Sequence, residues 1–315
     1  MHDSHVRAEV RSAVQRDVRE EWWFDAIRAA RAWDTLRADA PVRVCVIDVG
    51  VAIEHPLLRD RVCEGWNFVD DNADVRPPPG RHHGTQIAAI IARLTAINPR
   101  IEIMPLRTRG PDRESLGHLV SALRYALANG AQVVSVSYRI EANDSTALEI
   151  VLREAQARGV ILVVSAGNEN ADLTRWSMLP ATFGLTLPNV ITVQAAGRPG
   201  QYFPDSNYFP AMPLLAAPGV GIATILNDAS ANDGWTNMRG TSAAAPIVAG
   251  SIALLLSDAR FASRARDMQA LLLGTAREYP QEVPGRAHQR SMRLLDLEAA
   301  VHAGLWGREH CGNPP

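Results

Sequence analysis

Residues Val42 to Gly50 read VRVCVIDVG, a short and nearly continuous apolar run, rich in β-branched side chains, that ends on a carboxylate. A strand with one face in water alternates apolar and polar residues. A run without that alternation is expected of a strand buried on both faces, as in a parallel sheet. Comparable runs follow: IEIMPL (101–106), AQVVSVSY (131–138), VILVVSAG (160–167) and NVITVQA (189–195). Between them lie helical patterns. ESLGHLVSALRYALANG (114–130) places Leu116, Leu119, Val120, Leu123 and Leu127 on one face, and STALEIVLREAQARG (145–159) repeats the design. Each ends on glycine, a common helix stop. Strands alternating with helices of this length predict an α/β fold, with a mainly parallel central sheet and helices on both faces. In such sheets ligands bind at the carboxyl ends of the strands, so the polar residues there are the ones to weigh.

The bulk composition narrows the function classes. The chain has 315 residues, 47% of them hydrophobic, enough for a full core. A formal net charge of -2 and only 6% aromatic residues give no basic surface with interleaved aromatics, so no nucleic-acid partner is expected. No apolar run reaches the roughly 18–20 residues that span a bilayer, so no membrane partner is expected either. The first 21 residues lack the apolar core of an export signal. The three cysteines, Cys45, Cys63 and Cys311, have neither disulfide-framework nor zinc-site spacing. Together these features predict a cytoplasmic protein.

Four polar residues stand at strand ends or helix starts. Asp48 closes the first run; alone it could equally be a cap, a ribose ligand or a metal ligand. His83, in RHHGTQIAAIIARL, precedes an apolar helix; a helix N-terminus disfavours the cationic form of a histidine, yet a lone histidine is more often structural. Asn168 in LVVSAGNEN could be a turn residue or an amide donor aimed at developing negative charge. Ser242, in MRGTSAAAPIVAG (238–250), stands between Gly-Thr and a run of alanines, with Pro246 in the first turns of the helix behind it. The combination is far more specific than its members. A serine needs a base, His83 can be that base, Asp48 can orient it, and Asn168 with the Ser242 backbone N–H can hold an oxyanion.

These segments, VIDVGV, HHGTQIAAIIA, SAGNEN, LAAPGVGIATI and RGTSAAAPIVAG, occur in an order that resembles the subtilisin-like serine proteases, from about Trp22 to about residue 304. The resemblance implies a three-layer subtilisin-like fold over residues 22–305, flanked by an N-terminal helical extension (1–21) and a tail (306–315). It implies peptide-bond hydrolysis through an acyl-enzyme, with Asp48, His83 and Ser242 as triad, Asn168 as oxyanion donor, and a peptide or protein as substrate. Ser137, Tyr138, Arg139, Ala166 and Gly167 are the substrate-binding positions it suggests. Met178, two residues before Pro180, falls at the floor of the main specificity pocket, with ordinary core packing as the other reading.

The rival α/β-hydrolase pattern needs G-x-S-x-G and the order serine, acid, histidine. Here Ala244 replaces the second glycine and the order is Asp, His, Ser. A non-catalytic protein keeping the fold is the other alternative, though it has no need of all four residues. The chain departs from the family at Val49, where a hydroxyl residue is usual after the acid. It also departs after the histidine helix, where IARLTAINPRIEIMPL runs almost directly into the next strand. No cofactor or metal, and in particular no tight calcium site, is expected. Val6, Val10, Val14 and Val18 recur at steps of four and predict a narrow-striped helix over residues 4–20 that could meet a partner protein.

Overall fold

The computed structural model describes residues 21–110, 115–198, 201–210, 212–227, 234–280 and 291–306. The helix expected over 4–20, Cys311 and the tail beyond Trp306 lie outside the described residues. The strands are β1 (Val42–Asp48), β2 (Trp66–Asn67), β3 (Ile101–Arg107), β4 (Val133–Val136), β5 (Ile161–Ser165), β6 (Val190–Ala196), β7 (Leu215–Pro218), β8 (Val220–Ile225), β9 (Trp235–Arg239), β10 (Arg277–Pro280) and β11 (Ser291–Leu294). The α-helices are α1 (Trp22–Ala26), α2 (Ala29–Thr35), α3 (His83–Leu94), α4 (Leu116–Ala128), α5 (Thr146–Ala157), α6 (Thr241–Leu256), α7 (Met268–Thr275) and α8 (Leu297–Trp306).

The apolar runs become adjacent strands of one sheet with the order β10-β11-β7-β6-β5-β4-β1-β3-β2. Its neighbours pair parallel except β10 with β11. Successive side chains of a strand point to opposite faces, and β1 shows the consequence. Val42, Val44 and Val46 enter one core with Ile87, Ile90 and Ile91 of α3. Cys45 and Ile47 enter the other, with Leu119 and Leu123 of α4 and Leu148 and Leu152 of α5. Full burial of such a side chain contributes roughly 1.5–3 kcal/mol, so both faces of β1 hold it in place. The result is the three-layer α/β architecture that the unalternated runs predict.

Helix α6 packs against α3 and against β1 and β4 to β7. Its residues from Ala243 to Leu256 are all buried, which explains a helix apolar on every side. The hairpin β8–β9 stands outside the main sheet.

The short connection from α3 to β3 closes around a cation of the chain itself. The Arg61 guanidinium donates to the carbonyls of Ile101 at 3.0 Å and Asn98 at 3.3 Å, and to the Thr95 hydroxyl at 2.8 Å. Longer bonds reach the carbonyls of Thr95 and Ala92. Burial pushes its pKa down to about 10. Carbonyls converging on a buried positive charge give this turn the interactions it needs without a long loop. Among the described residues no group of three or more His, Cys, Asp or Glu is placed to hold a metal ion, and no helix is long and apolar enough to cross a membrane.

Candidate active site

The carboxyl ends of β1, β3, β4 and β5 meet the N-termini of α3 and α6. Asp48 is the last residue of β1 and is 1% exposed. Gly84, in the first turn of α3, lets the helix sit directly on that strand end: a Cβ there would lie 2.2 Å from the Gly50 carbonyl oxygen and 3.1 Å from Asp48 Cβ. The close approach brings His83 Nδ1 to 2.8 Å from Asp48 Oδ2. With its Nδ1–H donating to the carboxylate, the imidazole presents Nε2 as the acceptor. The second carboxylate oxygen accepts from the Val49 backbone N–H at 2.7 Å, and Arg109 Nη1 lies 3.8 Å from it. Burial pushes the Asp48 carboxyl up, but the His83 imidazole, the Arg109 guanidinium and the Val49 amide outweigh it. The carboxyl is held below the usual carboxylate range.

Ser242 is the second residue of α6 and, unlike the helix around it, is only partly buried. Its hydroxyl donates to the Ser137 carbonyl at 3.0 Å. Pro246 has no N–H to offer the carbonyl four residues back, which is that of Ser242. The Ser137 hydroxyl donates to that carbonyl instead, at 3.4 Å. Gly240 caps the helix at φ +103°, where a side chain would be strained, and a Cβ there would sit 2.9 Å from Asn168 Oδ1. The Asn168 side chain is therefore packed against the start of α6. Its oxygen accepts from the Thr241 backbone N–H at 2.9 Å and from the Thr241 hydroxyl at 3.1 Å. These two donors assign the amide orientation and leave Nδ2 as the donor end.

His83, Asn168 and Ser242 share one open cleft of about 680 Å³. Ser137, Tyr138, Arg139 and Gly167 also line it. Two of the expected substrate-binding residues do not. Ala166 is 1% exposed and faces the core shared with α4 and α5. Met178 is fully buried beneath the cleft, its sulfur 3.1 Å from Asn207 Nδ2 and 3.2 Å from where a Cβ on Gly167 would lie. It touches the floor from below and does not itself line the cleft.

Three further residues shape the cleft: Glu169 and Arg109 line it, and Thr241 is fully buried beside it. Glu169 pairs with Arg139 and accepts from Asn207 Nδ2 at 2.7 Å. Arg109 stacks on the Tyr138 ring, 5.0 Å from its centroid. Thr241 orients Asn168, and its hydroxyl accepts from the Gly167 N–H at 3.1 Å. Glu169 and Thr241 stand inside quoted motifs and could have been taken from them. Arg109 could not, because nothing in TRG (108–110) says which way a long side chain turns.

Comparison with known proteins gives the same grouping independently. The pattern of the Subtilase family matches residues 39–293, most of the chain. The chain belongs to the subtilase family. This subtilase is 34% identical over 241 residues to the thermophilic serine proteinase of Bacillus sp. (strain AK1), an alignment that covers 73% of this chain and 55% of that protein. It is 30% identical over 250 residues to thermitase of Thermoactinomyces vulgaris, covering 76% and 83%. The chain thus spans little more than half the length of the first relative. The solved structure of a lanthipeptide protease shares the fold with a TM-score of 0.75 at 23% identity, covering 91% of this subtilase and 96% of that chain.

Proposed function

We propose that the chain is a serine endopeptidase that cleaves peptide bonds through an acyl-enzyme on Ser242. The observation that carries this reading is the meeting, in one cleft, of a histidine bonded to the buried Asp48, a serine on a helix N-terminus and an asparagine whose oxygen is fixed by the residue before that serine. Ser242 Oγ attacks the substrate carbonyl carbon as His83 Nε2 takes the hydroxyl proton. The carbonyl π pair moves onto oxygen, and Asn168 Nδ2 with the Ser242 backbone N–H donate to that oxyanion. Asp48 keeps the imidazole oriented and stabilises its positive charge. Collapse of the intermediate expels the amine, which takes the proton from Nε2. Water then gives a proton to Nε2 as it attacks the acyl group, and collapse of that intermediate breaks the ester bond, Nε2 returning the proton to Ser242 Oγ as the acid is released.

The steps use side chains of this chain alone and no cofactor. The substrate is a peptide or an accessible protein segment, bordered in the cleft by Ser137, Tyr138, Arg139 and Gly167. Cys45 and Cys63 carry free thiols, which supports a reducing, cytoplasmic setting. The test is digestion of a defined peptide library with mass-spectrometric mapping of the products. The reading expects internal cleavages that vanish in Ser242→Ala. A folded wild-type protein that leaves the library intact overturns it.

A further inference from the structure

Position 49 is valine, so the residue after the buried acid has no hydroxyl to offer it. The structure answers from the neighbouring strand. Asp48 is the register partner of Arg107 at the end of β3, and the Thr108 N–H donates to the Asp48 carbonyl at 2.9 Å. The chain is thereby fixed beside Asp48 for one further residue, and the next side chain, Arg109, turns back toward the carboxylate.

Its guanidinium is held on two sides. Nη1 lies 3.8 Å from Asp48 Oδ1, and the guanidinium carbon lies over the Tyr138 ring. That ring is itself fixed, because the Tyr138 hydroxyl hydrogen-bonds the Thr108 hydroxyl at 2.8 Å. Arg109 is one-fifth exposed and lines the cleft together with His83 and Ser242. A planar guanidinium suits this place, since it can stack on an aromatic face and still aim N–H donors at a carboxylate.

We infer that Arg109 is a positioning residue for the Asp48–His83 pair. It gives the Asp48 carboxylate a third polar partner, beside His83 and the Val49 N–H, and sets a fixed positive charge next to any charge that forms on the imidazole. The inference rests on the proposed function, in which His83 is the base. Protonating His83 places a cation beside Asp48, and Arg109 is already a cation on the same carboxylate. Two cations on one carboxylate repel, so the second is disfavoured and the base remains available on the acid side.

Among the described residues, charged groups near the pair have partners of their own. Arg107 of β3 pairs with Asp70 at 3.1 Å. His82, before α3, accepts from the Asn227 N–H at 3.1 Å. Arg139 and Glu169 pair with each other across the cleft. The residue after β4 and the start of α6 present the uncharged Ser137 and Ser242. From α4, His118 Nδ1 lies 3.3 Å from the Thr108 carbonyl, one residue from Arg109, so a His118 variant serves as a control.

The experiment measures the rate at which a fluorophosphonate labels Ser242, from about pH 5 to about pH 9, in wild type, Arg109→Gln, Arg109→Lys and His118→Gln. This probe needs only the nucleophile and its base, not the unknown peptide specificity. Arg109→Gln is expected to move the acid limb up by about half a pH unit, a roughly threefold loss of rate on the acid side. Arg109→Lys keeps the positive charge and should keep the wild-type limb, and so should His118→Gln. Because the guanidinium lines an open cleft, all variants should melt close to wild type. A Gln profile that superimposes on wild type overturns the inference. So does a Lys variant shifted as far as Gln, which would mean that packing on Tyr138 and not charge is at work. Wild type left unlabelled at Ser242 at every pH overturns the proposed function, and the inference with it.

Discussion

Asp48 and His83 meet at 2.8 Å, whereas the Ser242 hydroxyl, in the same cleft, points at the Ser137 carbonyl 3.0 Å away. The two halves of the site are built by different means. The acid–base half is fixed from all sides: β1 pairs with β3 and β4, and Gly84 lets α3 rest on the strand end. Its geometry has the precision of the sheet. The nucleophile half depends on α6. The backbone of that helix is buried, and Asn168 is tied to it through Thr241, but the serine hydroxyl keeps one free rotation. In the proposed mechanism the base is therefore set in advance, while the nucleophile rests on a nearby carbonyl. That mechanism needs the partly exposed Ser242 side chain to rotate toward His83, a motion of picoseconds to nanoseconds.

The largest expected effect comes from breaking either half outright. Ser242→Ala and His83→Ala should each lower kcat by roughly 10⁶, the loss known for the same residues in subtilisin. Each should leave the far-ultraviolet spectrum and melting near wild type. A variant hydrolysing peptides at the wild-type rate would remove that residue from the chemistry.

Asn168→Ala sharpens the nucleophile half. A side-chain oxyanion donor contributes about 2.7–4 kcal/mol in subtilisin, so kcat should fall by roughly 10²–10³ with little change in KM. A change confined to KM would mean that Asn168 holds ground-state substrate and not the oxyanion.

Arg61 tests the support behind the acid–base half. Arg61→Leu removes the cation on which the carbonyls of the α3–β3 connection converge. Hydrogen bonds to a charged donor contribute about 1.5–3 kcal/mol each in favourable cases, so stability should fall by about 3 kcal/mol, read as urea unfolding. In wild type the turn already holds its own cation, so a chelator should shift melting little. A large drop in melting temperature restored by calcium alone would show that a metal also supports the fold.

The smallest effect belongs to Met178, under the nucleophile half. Met178→Leu conserves volume and should cost less than about 1.5 kcal/mol. The ratio of kcat/KM for matched Ala and Phe peptides should stay unchanged, because the residue packs below Gly167. A ratio altered severalfold would make Met178 a specificity residue.

Most of the frame was legible in the sequence because its signals are strong and local. Unalternated runs such as VRVCVIDVG have few other uses in a chain of this length, and the leucine-striped segments 114–130 and 145–159 become α4 and α5. The four polar residues were legible through their order and surroundings, not through any one of them. β10 and β11 are not legible, because four-residue strands such as REYP and SMRL at a sheet edge carry no periodicity. The β8–β9 hairpin is not legible either: WTNMR has polar residues where a buried strand would be apolar. Arg109 and Arg61 were invisible for a different reason. Long side chains choose their partners through tertiary placement, and a register such as Asp48 opposite Arg107 exists only after the sheet has formed.

The most direct test of the central claim is to locate a covalent fluorophosphonate adduct by mass spectrometry, in wild type and in His83→Ala near neutral pH. The account predicts a single adduct on Ser242 in wild type, and its loss in His83→Ala even though the serine is still present. An adduct on another residue, or labelling of Ser242 that is undiminished without His83, would contradict it.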